Sequence, residues 1–278
     1  MLTGKEMQMG QRAPNPNAVR ITARSRLLPL ATMVVTACLG GCASPNPAFV
    51  AGPDPGQEAV ILLHGLARTS RSMGRMEKRL TGASYAVHSL QYRSRQKTVE
   101  RIAEEDLAPF VATCQRANPT KIHFVAHSLG SIVVRQYLAQ HKLPNVGRVV
   151  MLGPPNQGSE VVDRLGGCRL FGWLNGPAGR QLGTSTASLP SRLPAPVSEV
   201  GVIAGTRSIN WILSAMIPGP DDGKVSVART KLPGMVGFVT VPVPHPFLMR
   251  SREAIAFTLA FLRDGAFSME KLSGAQAE

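Results

Sequence analysis

The stretch Lys121–Tyr137, KIHFVAHSLGSIVVRQY, constrains this chain more than any other. Ile122, Phe124 and Val125 form a short apolar, β-prone run, and Ile132, Val133, Gln136 and Tyr137 recur at helical spacing. Between them stands Ala126-His127-Ser128-Leu129-Gly130. A strand entering a helix through a sharp turn, with serine at the apex, is the nucleophile-elbow pattern G-x-S-x-G, here with alanine for the first glycine. The need behind it is steric. A serine raised above a strand end requires small residues two before and two after it, or strand and helix collide; Ala126 and Gly130 meet that need. The plain alternative is a serine that only caps its helix.

The rest of the chain repeats the strand-then-helix rhythm. Ala59–Leu63 is a continuous apolar run, the mark of a strand buried on both faces, and it ends in His64-Gly65-Leu66-Ala67. Met73, Met76 and Leu80 suit a short helix, and Tyr85–Leu90 the next strand. Val99, Ile102, Leu107, Phe110 and Val111 lie near helical spacing, with Pro109 placed to kink or divide that helix. Val146–Leu152, Val200–Ala204 and Val236–Val243 read as further strands and Ala254–Leu262 as a closing helix. Such alternation implies an α/β class: a mostly parallel central sheet with helices on both faces. Reactive groups in such sheets gather beyond the carboxyl ends of the strands. Residues 159–198 break the rhythm, with Val161, Val162, Leu165 and Leu170-Phe171-Gly172-Trp173-Leu174 set among glycine, serine and proline. They read either as a small cap over the site or as an irregular insertion packed on the core.

The first forty residues belong to something else. Lys5, Arg12, Arg20, Arg24 and Arg26 form a basic lead before the mostly apolar Leu27–Leu39, a run too short to span a bilayer comfortably. This pattern is a secretory signal. It closes on Leu39-Gly40-Gly41-Cys42, which resembles the lipobox of bacterial lipoproteins, whose cysteine is lipidated and becomes the new first residue. Cys38 also fits but leaves a shorter apolar core. The expected organisation is therefore a signal at 1–41, a flexible tether at 42–58, a domain at 59–265 and a tail at 266–278. The Pro-, Gly- and Asn-rich composition of 45–58 supports the tether. Ser44, not an acidic residue, stands two places after Cys42, which by resemblance to sorted lipoproteins favours the outer membrane over the inner, so a lipid-anchored protein of the bacterial envelope facing the periplasm is expected. The formal charge is +14 at pH 7, and without the five basic residues and one acidic residue of residues 1–41 it is +10, which suits anionic lipid head groups. The charges are scattered, with no basic run beside aromatic residues, so no nucleic-acid footprint is present. Cys114 and Cys168 remain in the domain, with no Cys/His spacing that suggests zinc.

A serine hydroxyl becomes a useful nucleophile when a base takes its proton, and that base needs a carboxylate to fix its tautomer. In this type of sheet the order along the chain is serine, acid, histidine. Only His141 and His245 follow Ser128. His141 stands at the far end of the elbow's own helix, roughly 20 Å away at helical rise, which leaves His245, in a loop stiffened by Pro244 and Pro246. Between serine and histidine lie Glu160, Asp163, Glu199, Asp221 and Asp222. Asp222 is preferred because Gly223 allows a tight turn into the next strand, with Asp221 in reserve. An oxyanion hole would draw on the backbone N–H of Leu129, after the serine, and of Leu66, in the loop after the first strand. His64 precedes the serine and reads as a structural residue of that loop.

Taken in order, His64-Gly65-Leu66, Ala126-His127-Ser128-Leu129-Gly130, Asp222-Gly223-Lys224-Val225 and His245 resemble the α/β-hydrolase superfamily, in its bacterial lipase and esterase branch. The resemblance spans about residues 59–264. It implies hydrolysis of carboxylic or acyl-lipid esters through an acyl-serine intermediate, with no cofactor or metal. Ser128, Asp222 and His245 would form the catalytic triad, and Leu66 and Leu129 the oxyanion hole. The same triad also serves acyltransferases and thioesterases, and a degenerate relative could act as a binding lipoprotein.

Overall fold

The run Ala59–Leu63 is buried along its whole length and forms β1, an inner strand of a six-stranded parallel sheet. The computed structural model describes residues 56–268. The expected signal at 1–41, Cys42 with its alternative Cys38, the tether up to residue 55 and the tail from residue 269 lie outside the described residues. The sheet order is β2-β1-β3-β4-β5-β6, with β2 at Ala86–Leu90, β3 at Ile122–His127, β4 at Val146–Leu152, β5 at Val200–Gly205 and β6 at Gly237–Val241. Every neighbouring pair is parallel.

Alternation along each strand builds the two cores. On β1, Ala59, Ile61 and Leu63 face one layer, which includes Ile102, Leu107, Phe124, Ile132 and Val133. Val60 and Leu62 face the other, with Met76, Leu80, Val125, Leu248, Ile255 and Phe261. The first layer belongs to α2 (Val99–Ile102), α3 (Ala108–Gln115) and α4 (Leu129–Gln140); the second to α1 (Gly74–Thr81) and the closing helix α10 (Arg252–Asp264). Each fully buried Leu, Ile or Phe stabilises by about 1.5–3 kcal/mol relative to exposure, so both faces of the sheet are held by the same pattern that defines the strands.

Several local readings are refined on folding. Of the two alternatives at Pro109, a kink or a division, division does not occur: a π turn over Ala103–Leu107 joins α2 to α3. The wider spacing accommodates a residue with no N–H, whose ring would clash with the carbonyl four places back in a regular helix. The last strand stops at Val241, short of Val243, because Pro242 has no N–H to give to a ladder. His245 then opens a 3-10 turn over His245–Arg250 instead of sitting in open loop. The stretch 159–198 is largely helical: α5 (Glu160–Leu165), α6 (Arg169–Arg180, interrupted at Gly176) and α7 (Leu189–Arg192). Between β5 and β6 come α8 (Trp211–Ser214) and α9 (Val227–Thr230). Cys114 is buried and Cys168 exposed, and both are free thiols.

Candidate active site

Ser128 sits between β3 and α4 with φ 54° and ψ −119°. Left-handed φ at a residue with a side chain costs about 1–3 kcal/mol and persists only where the surroundings enforce it. Here they do. The Ser128 N–H donates to the Leu152 carbonyl of β4 at 2.9 Å. On the helix side, Gly130 lies so close to β1 that a Cβ there would stand 2.8 Å from the His64 carbonyl oxygen and 2.9 Å from that of Leu63. The helix thus meets the end of the neighbouring strand β1 at contact distance, where the pentapeptide suggests a close approach to the elbow's own strand.

Ser128, His245 and Asp222 come together in one line. The Ser128 Oγ and His245 Nε2 are 3.0 Å apart, and His245 Nδ1 and Asp222 Oδ2 are 2.6 Å apart. Asp222 is 1% exposed and His245 3%. An ionised carboxylate only accepts, so Nδ1 carries the proton and Nε2 is free to accept one from the serine. The other carboxylate oxygen, Asp222 Oδ1, accepts from the Lys224 N–H at 3.0 Å and the Val225 N–H at 2.9 Å. The His245 N–H donates to the Asp222 carbonyl at 2.9 Å, so the two loops are also joined through backbone. Gly153, past the end of β4, leaves room for this pair: a Cβ there would lie 3.0 Å from Asp222 Oδ2 and 3.1 Å from His245 Nδ1.

The other candidate acids are engaged elsewhere. Asp221 accepts from the Ser214 hydroxyl at 2.7 Å and the Gly223 N–H at 2.7 Å. Glu160 pairs with Arg229, Asp163 accepts from Thr184, and Glu199 pairs with Arg148. His141 faces Glu104 at 2.9 Å, away from the serine. Leu66 lies in the turn after β1, and Leu129 is the first residue of α4, where a helix leaves its N–H groups without internal partners. α6 packs onto that turn: a Cβ on Gly179 would touch the Leu66 side chain at 3.1 Å.

Two histidines brace these loops. His64 is buried, its ring stacked on Tyr92 with centroids 4.1 Å apart, and the Tyr92 hydroxyl donates to the His64 carbonyl. Burial lowers the His64 pKa to about 4, so its ring is neutral. His127 has no role that the sequence pattern assigns. It is buried beside His245, its Nε2 3.0 Å from the His245 carbonyl oxygen, and desolvation, reinforced by the nearby His245, holds its pKa well below the ordinary histidine value. A neutral His127 therefore donates Nε2–H and ties the serine's neighbour to the histidine's backbone. The one sequence signal for it is adjacency to Ser128. Arg135 is likewise invisible to the motif: it is buried on α4 and donates to the carbonyls of Asn156 and Leu193, at the two ends of the 159–198 insertion.

This sheet, with a left-handed serine at the end of its third strand, defines a class. The alpha/beta hydrolase fold family matches residues 58–198, and the chain belongs to that family. Among solved structures, it is similar to the mature form of the Bacillus licheniformis lipase BlEst2, with TM-score 0.65 at 19% identity over 77% of this chain and 94% of that one. Similarity to the phospholipase PlaB from Legionella pneumophila gives TM-score 0.53 at 20% identity, over 63% of this chain and 46% of PlaB. The lin2722 product of Listeria innocua gives 0.51 at 17% identity, over 75% of this chain and 94% of that one. At these identities the likeness is one of fold. No curated protein matches the sequence.

Proposed function

We propose that this protein is a serine hydrolase of carboxylic esters. The observation that carries the reading is the hydrogen-bonded line from Ser128 Oγ through His245 to the buried Asp222. In the proposed reaction Ser128 Oγ attacks the ester carbonyl carbon while its proton passes to His245 Nε2. The backbone N–H groups of Leu66 and Leu129 receive the oxyanion; one such donor is worth roughly 10²–10³ in kcat. Collapse breaks the bond to the leaving oxygen, which takes the proton from His245 and departs as the alcohol. Water then gives a proton to His245 and attacks the acyl-serine, releasing the acid and restoring the hydroxyl. Asp222 holds the imidazole in the tautomer both halves need and stabilises it when charged.

Residues 159–198 serve in this reading as a cap over the site. The sequence of the leader adds location: lipidation at Cys42 would tether the domain in a bacterial envelope, with Ser44 favouring the outer membrane and an acyl-lipid or other ester as substrate. Hydrolysis of a chain-length series of p-nitrophenyl esters tests the activity, with Ser128→Ala expected to abolish it. Folded protein that cleaves none of the series and does not react with a fluorophosphonate probe would refute the reading.

A further inference from the structure

Large apolar side chains are exposed on the carboxyl-end face of this sheet. Leu170 and Trp173 stand on α6, after β4; Ile209 and Trp211 come after β5; Phe247 comes after β6. Trp173 is 69% exposed, Ile209 64%, Trp211 78% and Phe247 46%. Isolated exposed leucines call for no explanation, but two tryptophans set around one mouth do.

Three of these residues, Trp173, Trp211 and Phe247, are tied to elements of the serine site. Trp173 gives its carbonyl to Arg95 at 3.0 Å, with that guanidinium 5.7 Å from the indole centroid. Arg95 lies beyond β2, beside Ser94, whose hydroxyl accepts from the Ala67 N–H of the loop after β1. On the other side, α8 carries Trp211 and hangs from Asp221 through the Ser214 hydroxyl. Phe247 is two residues from His245. β3, which lifts Ser128, lies between these groups in the sheet order. The apolar side chains therefore straddle the serine, one group toward β2 and the other toward β6. The segments bearing them, residues 169–180, 206–216 and 245–251, carry Arg169, Arg180, Arg207 and Arg250 and no aspartate or glutamate.

From this geometry we propose that the catalytic-end face docks directly on a bilayer bearing anionic phospholipid, with Trp173, Ile209, Trp211 and Phe247 entering the head-group and acyl boundary. Tryptophan is suited to that boundary because its ring is apolar and its N–H polar. The arginines meet the lipid phosphates, each worth about ten-fold or less near an anionic surface and screened by salt. A broad, flat, anionic partner satisfies both sides of the mouth at once; a peptide in a groove would reach one. The biological sense of docking rests on the ester-hydrolase reading, since it would bring Ser128 to a lipid ester. Its physical basis does not.

Trp173 and Trp211 are the only two tryptophans in the chain, so intrinsic fluorescence reports on the proposed contact itself. The full chain is titrated with vesicles of phosphatidylglycerol and phosphatidylcholine in equal parts, and with phosphatidylcholine alone. On the anionic vesicles the emission should shift to the blue and be quenched by acyl-brominated lipid, less so on phosphatidylcholine, and sodium chloride should reverse the effect. Trp173→Phe and Trp211→Phe should each keep a shift from the remaining indole. Ile209→Ser, with an unchanged thermal midpoint, should weaken the titration roughly ten-fold, the worth of keeping one large apolar side chain in water. Emission that stays constant while the protein floats with vesicles would overturn the proposal, since attachment would then run through another part of the chain. So would emission already blue in buffer together with concentration-dependent dimers, because a second copy would then cover the face. Emission is indifferent to whether Ser128 reacts, so this test and the ester assay fail separately.

Discussion

Asp222→Asn isolates the electrostatic part of the proposed triad, because the structure decides which way the new amide must face. Asp222 Oδ1 accepts two backbone N–H groups, from Lys224 and Val225, while Oδ2 faces His245 Nδ1. An asparagine has one carbonyl oxygen to place. Turning its NH2 toward Lys224 and Val225 would leave two backbone donors unmet, at about 1–3 kcal/mol for the buried one on Val225. The oxygen therefore stays where Oδ1 was, and the NH2 faces Nδ1. Nδ1 must then accept, the ring proton moves to Nε2, and His245 can no longer take the proton of Ser128. Loss of the correct tautomer costs about 10⁴ in kcat in a serine–histidine–aspartate site, or about 5 kcal/mol of barrier. The assay is kcat and KM on a soluble p-nitrophenyl ester, with KM and the urea midpoint expected to change little. Asp221→Asn is the matched control, since Asp221 bonds Ser214 and Gly223 instead; it should lose no more than a few-fold. A fall of less than ten-fold for Asp222→Asn, or a larger fall for Asp221→Asn, would refute the argument.

Two further predictions concern the scaffold. Gly130→Ala places a Cβ within 2.9 Å of backbone oxygens of β1 that cannot rotate away; it should cost about 1–3 kcal/mol in urea unfolding and lower kcat by about 10², the effect of roughly 1 Å of misplacement, whereas a wild-type rate would show that the elbow tolerates a wider gap. Acid should destabilise the fold: His64 titrates near 6.5 when unfolded but at about 4 when folded, so the unfolded chain gains a proton first as pH falls. Its effect is absent above about pH 7, grows between 6.5 and 4, and totals on the order of 3 kcal/mol. His127 adds to it in the same direction. A urea midpoint that does not fall between pH 7 and pH 5, or a pH slope unchanged in a folded His64→Gln variant, would contradict this.

Much of the scaffold is written locally. Ala59–Leu63 and Ile122–Val125 are rich in consecutive apolar residues, and a strand with that composition is stable only inside a sheet covered on both faces. Gly130 makes a close approach of the elbow helix readable, because it is a matter of side-chain size, although the pentapeptide does not say that the strand it meets is β1. The ends of elements are less legible. Nothing in the helical spacing around Pro109 distinguishes a break from a π turn, since that choice depends on Leu107 and Val111 both reaching the core.

What the sequence by itself determined is the alternation of buried strands with helices and the chain order of a serine, several carboxylates and a late histidine. Asp221 and Asp222 are the same chemical group one residue apart, and composition cannot separate them. Only the tertiary structure turns one carboxylate toward His245 and the other toward Ser214, because the direction of a side chain in a turn is set by which backbone amides it must satisfy. The same holds for His127, whose partner is a carbonyl 118 residues away: its place beside the site comes from packing, which no local pattern encodes.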